Sequence, residues 1–99
     1  MLELRPGCET CDRDLPPDSA DAMICTFECT FCIDCVEGVL QNVCPNCGGE
    51  LVRRPVRPAE MRAKHAPSTT RVYKPLTGER LDKHAALVAR YKGIDPARR

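Results

Sequence analysis

Large aromatic side chains are scarce in this sequence. Its 99 residues contain two Phe, two Tyr and no Trp, so few bulky groups are available to fill a hydrophobic core. A domain this small with a thin core needs a staple such as a disulfide or a metal ion. Apolar packing alone is therefore excluded as the basis of the fold, and a further constraint is predicted.

Long hydrophobic runs are also missing. No stretch approaches the roughly 18 apolar residues of a membrane-spanning helix. The first residues do not form an apolar run of signal-peptide length, because Glu3 and Arg5 interrupt it. We therefore expect a cytoplasmic protein in a reducing compartment, with no membrane among its partners.

Cysteine is absent after residue 47, and basic residues are rare before residue 51. All eight cysteines lie in the first half, which carries ten acidic and two basic residues, a net charge of −8. Residues 51–99 carry thirteen basic and four acidic residues, a net charge of +9. In a reducing compartment, paired C-x-x-C motifs indicate metal binding rather than disulfides.

The spacing of the cysteines suits two metal sites of four ligands each. It reads C-x2-C-x13-C-x3-C-x2-C-x2-C-x8-C-P-x-C. Tetrahedral all-thiolate sites hold Zn²⁺ or iron, and we predict two Zn²⁺ per chain. An iron–sulfur cluster run would need its fourth cysteine at position 39, where Val39 stands. A mononuclear iron site remains the alternative, since the Cys-Pro-x-Cys-Gly loop at residues 44–48 is also found in rubredoxin-like proteins.

Two pairings of the cysteines are possible. In the sequential pairing, one ion takes Cys8, Cys11, Cys25 and Cys29, and the other takes Cys32, Cys35, Cys44 and Cys47. In the interleaved pairing, site 1 consists of Cys8, Cys11, Cys32 and Cys35, and site 2 consists of Cys25, Cys29, Cys44 and Cys47.

The order of ligands resembles the cross-brace of RING fingers, with Cys29 where that family usually has histidine. Phe31 before Cys32 and Pro45 after Cys44 also match its preferences. The resemblance implies the interleaved pairing and a treble-clef zinc module. RING ubiquitin ligases, however, present apolar residues near the first ligand pair, and this chain has Glu9 and Thr10 there. Fold resemblance alone does not carry over that activity.

Residues 1–58 more closely resemble a bacterial family of short cysteine-rich proteins known only as a domain of unknown function. This resemblance implies a metal-binding module and no particular activity. The segments that carry it are Met1–Pro6, Asp14–Ser19, Ile24–Cys32 and Asn42–Gly49.

The remaining pattern predicts a small metal-stabilised α+β fold. We expect a β-hairpin within residues 20–31, with Phe27 and Phe31 in the core, and a short helix from Cys32. A C-terminal helix is expected within residues 76–94, because Leu81, Ala85, Val88 and Tyr91 recur at helical spacing. The predicted domains are residues 1–52 for the metal module, 53–75 for a basic linker, and 76–99 for the amphipathic helix and tail.

No catalytic residue is predicted, because closed four-cysteine sites leave no open position and no spare nucleophile. His84 is expected to pack, and the acidic residues between Asp12 and Asp21 are expected to form a solvated face. We therefore expect a non-enzymatic zinc-binding module for protein interaction. The alternatives are nucleic-acid binding through the basic half, a ubiquitin-ligase-like role, and a redox or metal-sensing role.

Overall fold

A three-stranded antiparallel sheet forms the centre of the N-terminal half. The computed structural model describes all residues, 1–99. Strands β1 (Ala22–Ile24), β2 (Thr30–Cys32) and β3 (Val52–Arg53) are arranged in the order β2-β1-β3. Met23 pairs with Phe31 on one side and with Arg53 on the other. The expected hairpin and α+β class are confirmed.

The hairpin turn places its two Phe residues in opposite environments. Phe31 lies on β2 and is fully buried, as predicted. Phe27 is 70% exposed, so its prediction as a core residue is wrong. The turn is closed by hydrogen bonds from Cys25 N to Cys29 O at 3.2 Å and from Glu28 N to Cys25 O at 3.1 Å. Phe27 lies at the tip of this closed loop and faces outward.

A short helical segment follows the hairpin directly. Helix α1 (Ile33–Cys35) continues into a π-helical turn (Val36–Leu40). Val36 and Leu40 are buried, whereas Val39 is 50% exposed, because the wider turn changes which positions face inward. The segment ends at Gln41, whose φ of 50° is left-handed.

The core consists of apolar side chains and cysteines together. It is built from Cys8, Leu15, Ala22, Cys25, Cys29, Phe31, Cys32, Val36, Leu40, Cys44 and Leu51. Five of these residues are cysteines, so the apolar core and the cysteine clusters form one body.

The C-terminal half contains two helices and a final 3-10 turn (Pro96–Arg98). Helix α3 (Gly78–Tyr91) has 14 residues, and it begins and ends where the pattern predicted. Helix α2 (Ala59–Lys64) lies within the expected linker. Its residues are good helix formers without apolar periodicity, so propensity rather than pattern accounts for it. The β-prone stretch 69–74 forms no strand.

Helix α3 packs against the cysteine-rich half through a face that overlaps only part of the predicted stripe. Of that stripe, Leu81 and Ala85 are exposed, whereas Val88 and Tyr91 are half-buried. His84, which lies beside them, is 2% exposed. The His84 ring Nε2 lies 2.9 Å from the Val43 carbonyl oxygen, which confirms a packing role. The helix therefore docks partly through polar contacts, and an apolar pattern does not predict such a face.

Candidate metal centres

The first cysteine cluster brings four sulfur atoms together. The Sγ atoms of Cys8, Cys11, Cys32 and Cys35 all lie within 4.8 Å of one another. Cys11 Sγ and Cys32 Sγ are 3.7 Å apart. Four thiolates around a tetrahedral Zn²⁺, with bonds of about 2.3 Å, would be roughly 3.8 Å apart. The grouping is that of site 1 in the interleaved pairing.

Three sulfur atoms form the second cluster. The Sγ atoms of Cys25, Cys44 and Cys47 lie within 4.8 Å of one another. Cys29 is buried nearby, at the far end of the loop that Cys25 begins, but its sulfur lies outside this group. These three sulfurs also group as in the interleaved pairing. Both clusters could hold metal ions.

The two C-x-x-C loops have the same backbone structure. Cys8 N donates to Arg13 O and Asp12 N donates to Cys8 O, both at 2.9 Å. In the other loop, Cys44 N donates to Gly49 O at 2.9 Å and Gly48 N donates to Cys44 O at 2.8 Å. The fifth residue of each loop is left-handed, with φ of 63° at Asp12 and 75° at Gly48. Glycine and aspartate are among the residues that tolerate this conformation.

Other cysteines of the two clusters come from the ends of the sheet and of α1. Cys25 follows β1, Cys32 ends β2, and Cys35 ends α1. Because β1 and β2 are antiparallel and Ala22 pairs with Cys32, the end of β2 lies beside the start of β1. Cys25 and Cys32 therefore lie at opposite ends of the hairpin, which explains why they belong to different clusters.

Burial controls the acidity of most of these thiols. It raises the pKa of Cys8, Cys29, Cys35 and Cys44, and neighbouring thiols raise the pKa of Cys35 further. Cys32 is the exception. Burial opposes its ionisation, but hydrogen bonds from the Cys35 amide and the surrounding thiols lower its pKa. The negative charge of a thiolate is therefore favoured at Cys32, the residue that precedes α1.

The acidic residues near the first loop are engaged in ion pairs. Arg71 donates to Asp12 Oδ1 at 3.0 Å and to Asp14 Oδ1 at 2.8 Å. Arg13 donates to Asp21 Oδ2 at 2.8 Å. The face is acidic and exposed as predicted, but arginines partly neutralise it.

Comparison with known proteins identifies the family. Residues 1–57, which contain all eight cysteines, match the family described as "Protein of unknown function (DUF1272)". The chain belongs to this family. It is also 73% identical over 75 residues to "Uncharacterized protein R02474" of Rhizobium meliloti (strain 1021), which covers 76% of this chain and 89% of the relative. No solved structure matches.

The similarity to the Rhizobium protein reaches beyond the family region. Its 75 aligned residues exceed the 57 that define the DUF1272 match, so part of the C-terminal half is shared as well. Within the DUF1272 chain, no helix has both the length and the apolar character needed to cross a membrane.

The sequence pattern did not predict the burial of two charged residues. Glu9 and Arg54 are each 1% exposed. Glu9 lies between two cysteine ligands and Arg54 lies in a basic stretch, where charged residues are ordinarily solvated. Only the weak signal of a charged residue between two metal ligands could have suggested Glu9.

Proposed function

We propose that this DUF1272 protein is a non-enzymatic module in which two structural Zn²⁺ ions organise a surface for protein interaction. The observation that carries the proposal is the convergence of four cysteine sulfurs within 4.8 Å in the first cluster. Four protein thiolates fill a tetrahedral site and leave no position for a catalytic water.

The proposed ligand set is the interleaved one. Site 1 takes Cys8, Cys11, Cys32 and Cys35, and site 2 takes Cys25, Cys44 and Cys47 with Cys29 as the fourth ligand. The three grouped sulfurs of site 2 and the burial of Cys29 beside them support this assignment. Such a cross-brace corresponds to the RING-like arrangement expected from the spacing.

Zinc is proposed over iron because an all-cysteine tetrahedral set is typical of structural zinc sites. A mononuclear iron centre would use the same ligands and would colour the protein through thiolate-to-iron charge transfer. Elemental analysis combined with a visible spectrum separates the two metals.

A test of the ligand assignment uses single serine substitutions. Cys35→Ser is expected to reduce bound zinc from two ions to one by removing a site 1 ligand, and Cys29→Ser is expected to do the same at site 2. Thr26→Ala, an exposed position between Cys25 and Cys29, serves as the control and should retain both ions. Full zinc retention by Cys29→Ser would contradict its role as a ligand.

An acidic groove supports the protein-interaction part of the proposal. Leu2, Ile24, Thr26, Glu28, Glu50 and Val52 line a cavity of about 340 Å³. Val52 pairs with Ile24 on β1, and strand alternation turns Arg53 to the other face of the sheet. Glu28 and Glu50 form no ion pair, unlike Asp12 and Asp14.

The charge and shape of the acidic groove fit a partner segment with an apolar side chain flanked by Lys or Arg. Phe27, exposed at the adjacent loop tip, would add aromatic contact area. Selection from a random-peptide display library should enrich such peptides, and binding should be lost in a Glu28→Gln/Glu50→Gln double variant. Enrichment that does not depend on these carboxylates, or concentration-dependent self-association through the groove, would contradict this partner.

Nucleic-acid binding through the basic half is the alternative. Against it, several guanidinium groups are already used within the chain. Arg71 binds Asp12 and Asp14, and Arg99 Nη1 donates to the Asn42 and Gly48 carbonyls at 3.0 Å each. A salt titration with generic DNA and RNA tests it, since phosphate binding would weaken steeply as salt increases.

A further inference from the structure

Glu9 occupies an unusual position for a charged residue. Its side chain is 1% exposed, and its carboxylate oxygens accept three hydrogen bonds. Arg5 Nη1 donates to Oε2 at 2.8 Å, Thr30 N donates to the same oxygen at 2.6 Å, and Asn46 Nδ2 donates to Oε1 at 3.4 Å. A buried carboxylate is tolerated only with such partners.

These partners join the loops that carry the cysteines of both clusters. Glu9 itself lies between Cys8 and Cys11. Thr30 lies between Cys29 and Cys32, and Asn46 lies between Cys44 and Cys47. The backbone adds a further link, because Glu9 N donates to Thr30 O at 2.9 Å. One carboxylate thus connects the loop of the first cluster to the loop of the second.

We propose that Glu9 is a positioning residue that couples the two zinc centres, so that zinc bound at one site raises the affinity of the other. The inference rests on the proposed function, since it requires two metal sites. The Glu9 hydrogen bonds form only when both loops are ordered. Zinc at site 1 orders Cys8–Cys11 and presents the carboxylate to Asn46, which reduces the ordering that site 2 still requires.

The carboxylate is required rather than a neutral amide. In Glu9→Gln, one acceptor oxygen becomes an NH₂ donor, which would face either the Asn46 amide or the Arg5 guanidinium, both of which are donors. One of these contacts would be lost, and in either orientation Arg5 would lose the negative charge of its buried partner. Glu3→Gln is the matched control, because Glu3 is also an acidic partner of Arg5, at 3.7 Å, but does not reach either cysteine loop.

A second variant keeps the test independent of folding defects. Asn46 is exposed, so Asn46→Ala should fold while breaking the link between Glu9 and the second loop. Asn46 also accepts a hydrogen bond from Arg80 Nη2 at 3.0 Å. Arg80→Ala therefore serves as its control, since it removes the contact with α3 and leaves the contact with Glu9.

The experiment titrates zinc into the metal-free full chain and counts zero-, one- and two-ion forms by native mass spectrometry. Positive coupling depletes the one-ion form relative to a chain whose two sites have the same affinities but load independently. In Asn46→Ala and Glu9→Gln the one-ion form should accumulate, as the affinity of the second site falls roughly 5- to 150-fold. Glu3→Gln and Arg80→Ala should behave like the native chain.

Each remaining outcome is decisive. A zinc affinity of site 2 that is the same in Cys35→Ser, which cannot load site 1, as in the native chain with site 1 loaded would overturn the coupling while the zinc module stands. The same distribution in Asn46→Ala as in the native chain would overturn the role of Glu9. A native chain that binds no zinc would overturn the proposed function itself.

Discussion

At the scale of single residues, Arg54 shows how a charge can be structural without a counter-ion. Its guanidinium donates to the carbonyl oxygens of Arg5 at 2.9 Å and Pro16 at 3.1 Å, and more weakly to that of Leu15 at 3.4 Å. Burial lowers its pKa. The side chain connects the strand at the end of the metal module to the first residues of the chain and to the proline-containing loop.

Replacing Arg54 should therefore destabilise the module. Arg54→Ala leaves three carbonyl groups short of a donor, and we expect a loss of about 1–3 kcal/mol in the free energy of unfolding, partly offset because a buried charge is also removed. Urea unfolding of the zinc-loaded protein measures this loss in the free energy of unfolding. Arg53→Ala, at an exposed neighbouring position, should change stability by less than about 0.5 kcal/mol. Equal effects of the two substitutions would contradict a specific role for Arg54.

The acidity of the cysteines leads to a second prediction at this scale. A raised pKa means that Cys8, Cys29 and Cys44 hold their protons more tightly than ordinary thiols, and these protons must leave when metal binds. Zinc affinity should therefore fall as the pH is lowered from about 8 to about 6. Competition with a chromophoric chelator at several pH values measures the zinc affinity. An affinity that does not change over this range would contradict thiolate ligation.

Cysteine spacing alone left two pairings open, and the resemblance to the RING cross-brace implied the one in which seven of the eight sulfurs group in space. Neither predicted Glu9 or Arg54, whose burial depends on partners distant in sequence. Phe27 was placed wrongly for a related reason. Hydrophobicity alone favoured burial, whereas the closed loop between Cys25 and Cys29 leaves its tip in solvent.

At the scale of elements, the repeated C-x-x-C loop is the main building unit. Both copies share the same hydrogen bonds and the same left-handed fifth residue, Asp12 or Gly48. Position 48 has a second reason to be glycine, because a Cβ atom there would lie only 2.9 Å from Tyr91 Cε2 of α3. The loop thus belongs to a cysteine cluster that could hold a metal ion and is also the docking point of the C-terminal helix.

A pair of glycine substitutions tests this unit. Gly48→Ala should reduce stability by at least about 1–2 kcal/mol, through its left-handed φ and the close contact with Tyr91. Gly38→Ala, in the π-helical turn with open space around it, should be neutral or raise stability by up to about 1 kcal/mol. Thermal unfolding of the loaded protein compares them, and a neutral Gly48→Ala would show that the loop conformation is not required.

The elements were predictable to different degrees. The hairpin and the 14-residue length of α3 follow from turn closure and helical spacing. The docking face of α3 followed only in part, because His84 and Arg80 anchor it through hydrogen bonds that hydrophobic periodicity ignores. Helix α2 was missed because its composition favours helix while its pattern does not.

At the scale of the whole molecule, the basic half folds back onto the acidic half. Lys74 N donates to Glu9 O at 2.7 Å and Ser68 N donates to Leu4 O at 3.1 Å. Arg71 binds Asp12 in the first C-x-x-C loop. At the second loop, Tyr91 of α3 lies against Gly48, and Arg99 donates to the Asn42 and Gly48 carbonyls. Ion pairs across the two halves come from Arg71 with Asp12 and Asp14, and the hydrogen bonds of Ser68, Lys74 and Arg99 go to backbone carbonyls.

Removal of metal should therefore affect the whole chain. Structural zinc contributes roughly 10–16 kcal/mol per site in small zinc-finger peptides at pH 7, far more than this thin core can replace. We expect chelation to unfold residues 1–52 cooperatively and to melt α3, since a 14-residue helix is marginal alone. Nuclear magnetic resonance spectra recorded with and without a strong chelator show whether the chain unfolds when the metal is removed. A stripped chain with dispersed, native-like signals would contradict this prediction.

The central claim, two zinc centres built by eight cysteines, is tested most directly by metal analysis of the full chain purified without added metal. Native mass spectrometry with elemental analysis should give two zinc ions per chain and a mass that shows no disulfides. A chain that carries no metal, that contains iron instead, or whose cysteines are paired as disulfides would contradict the account.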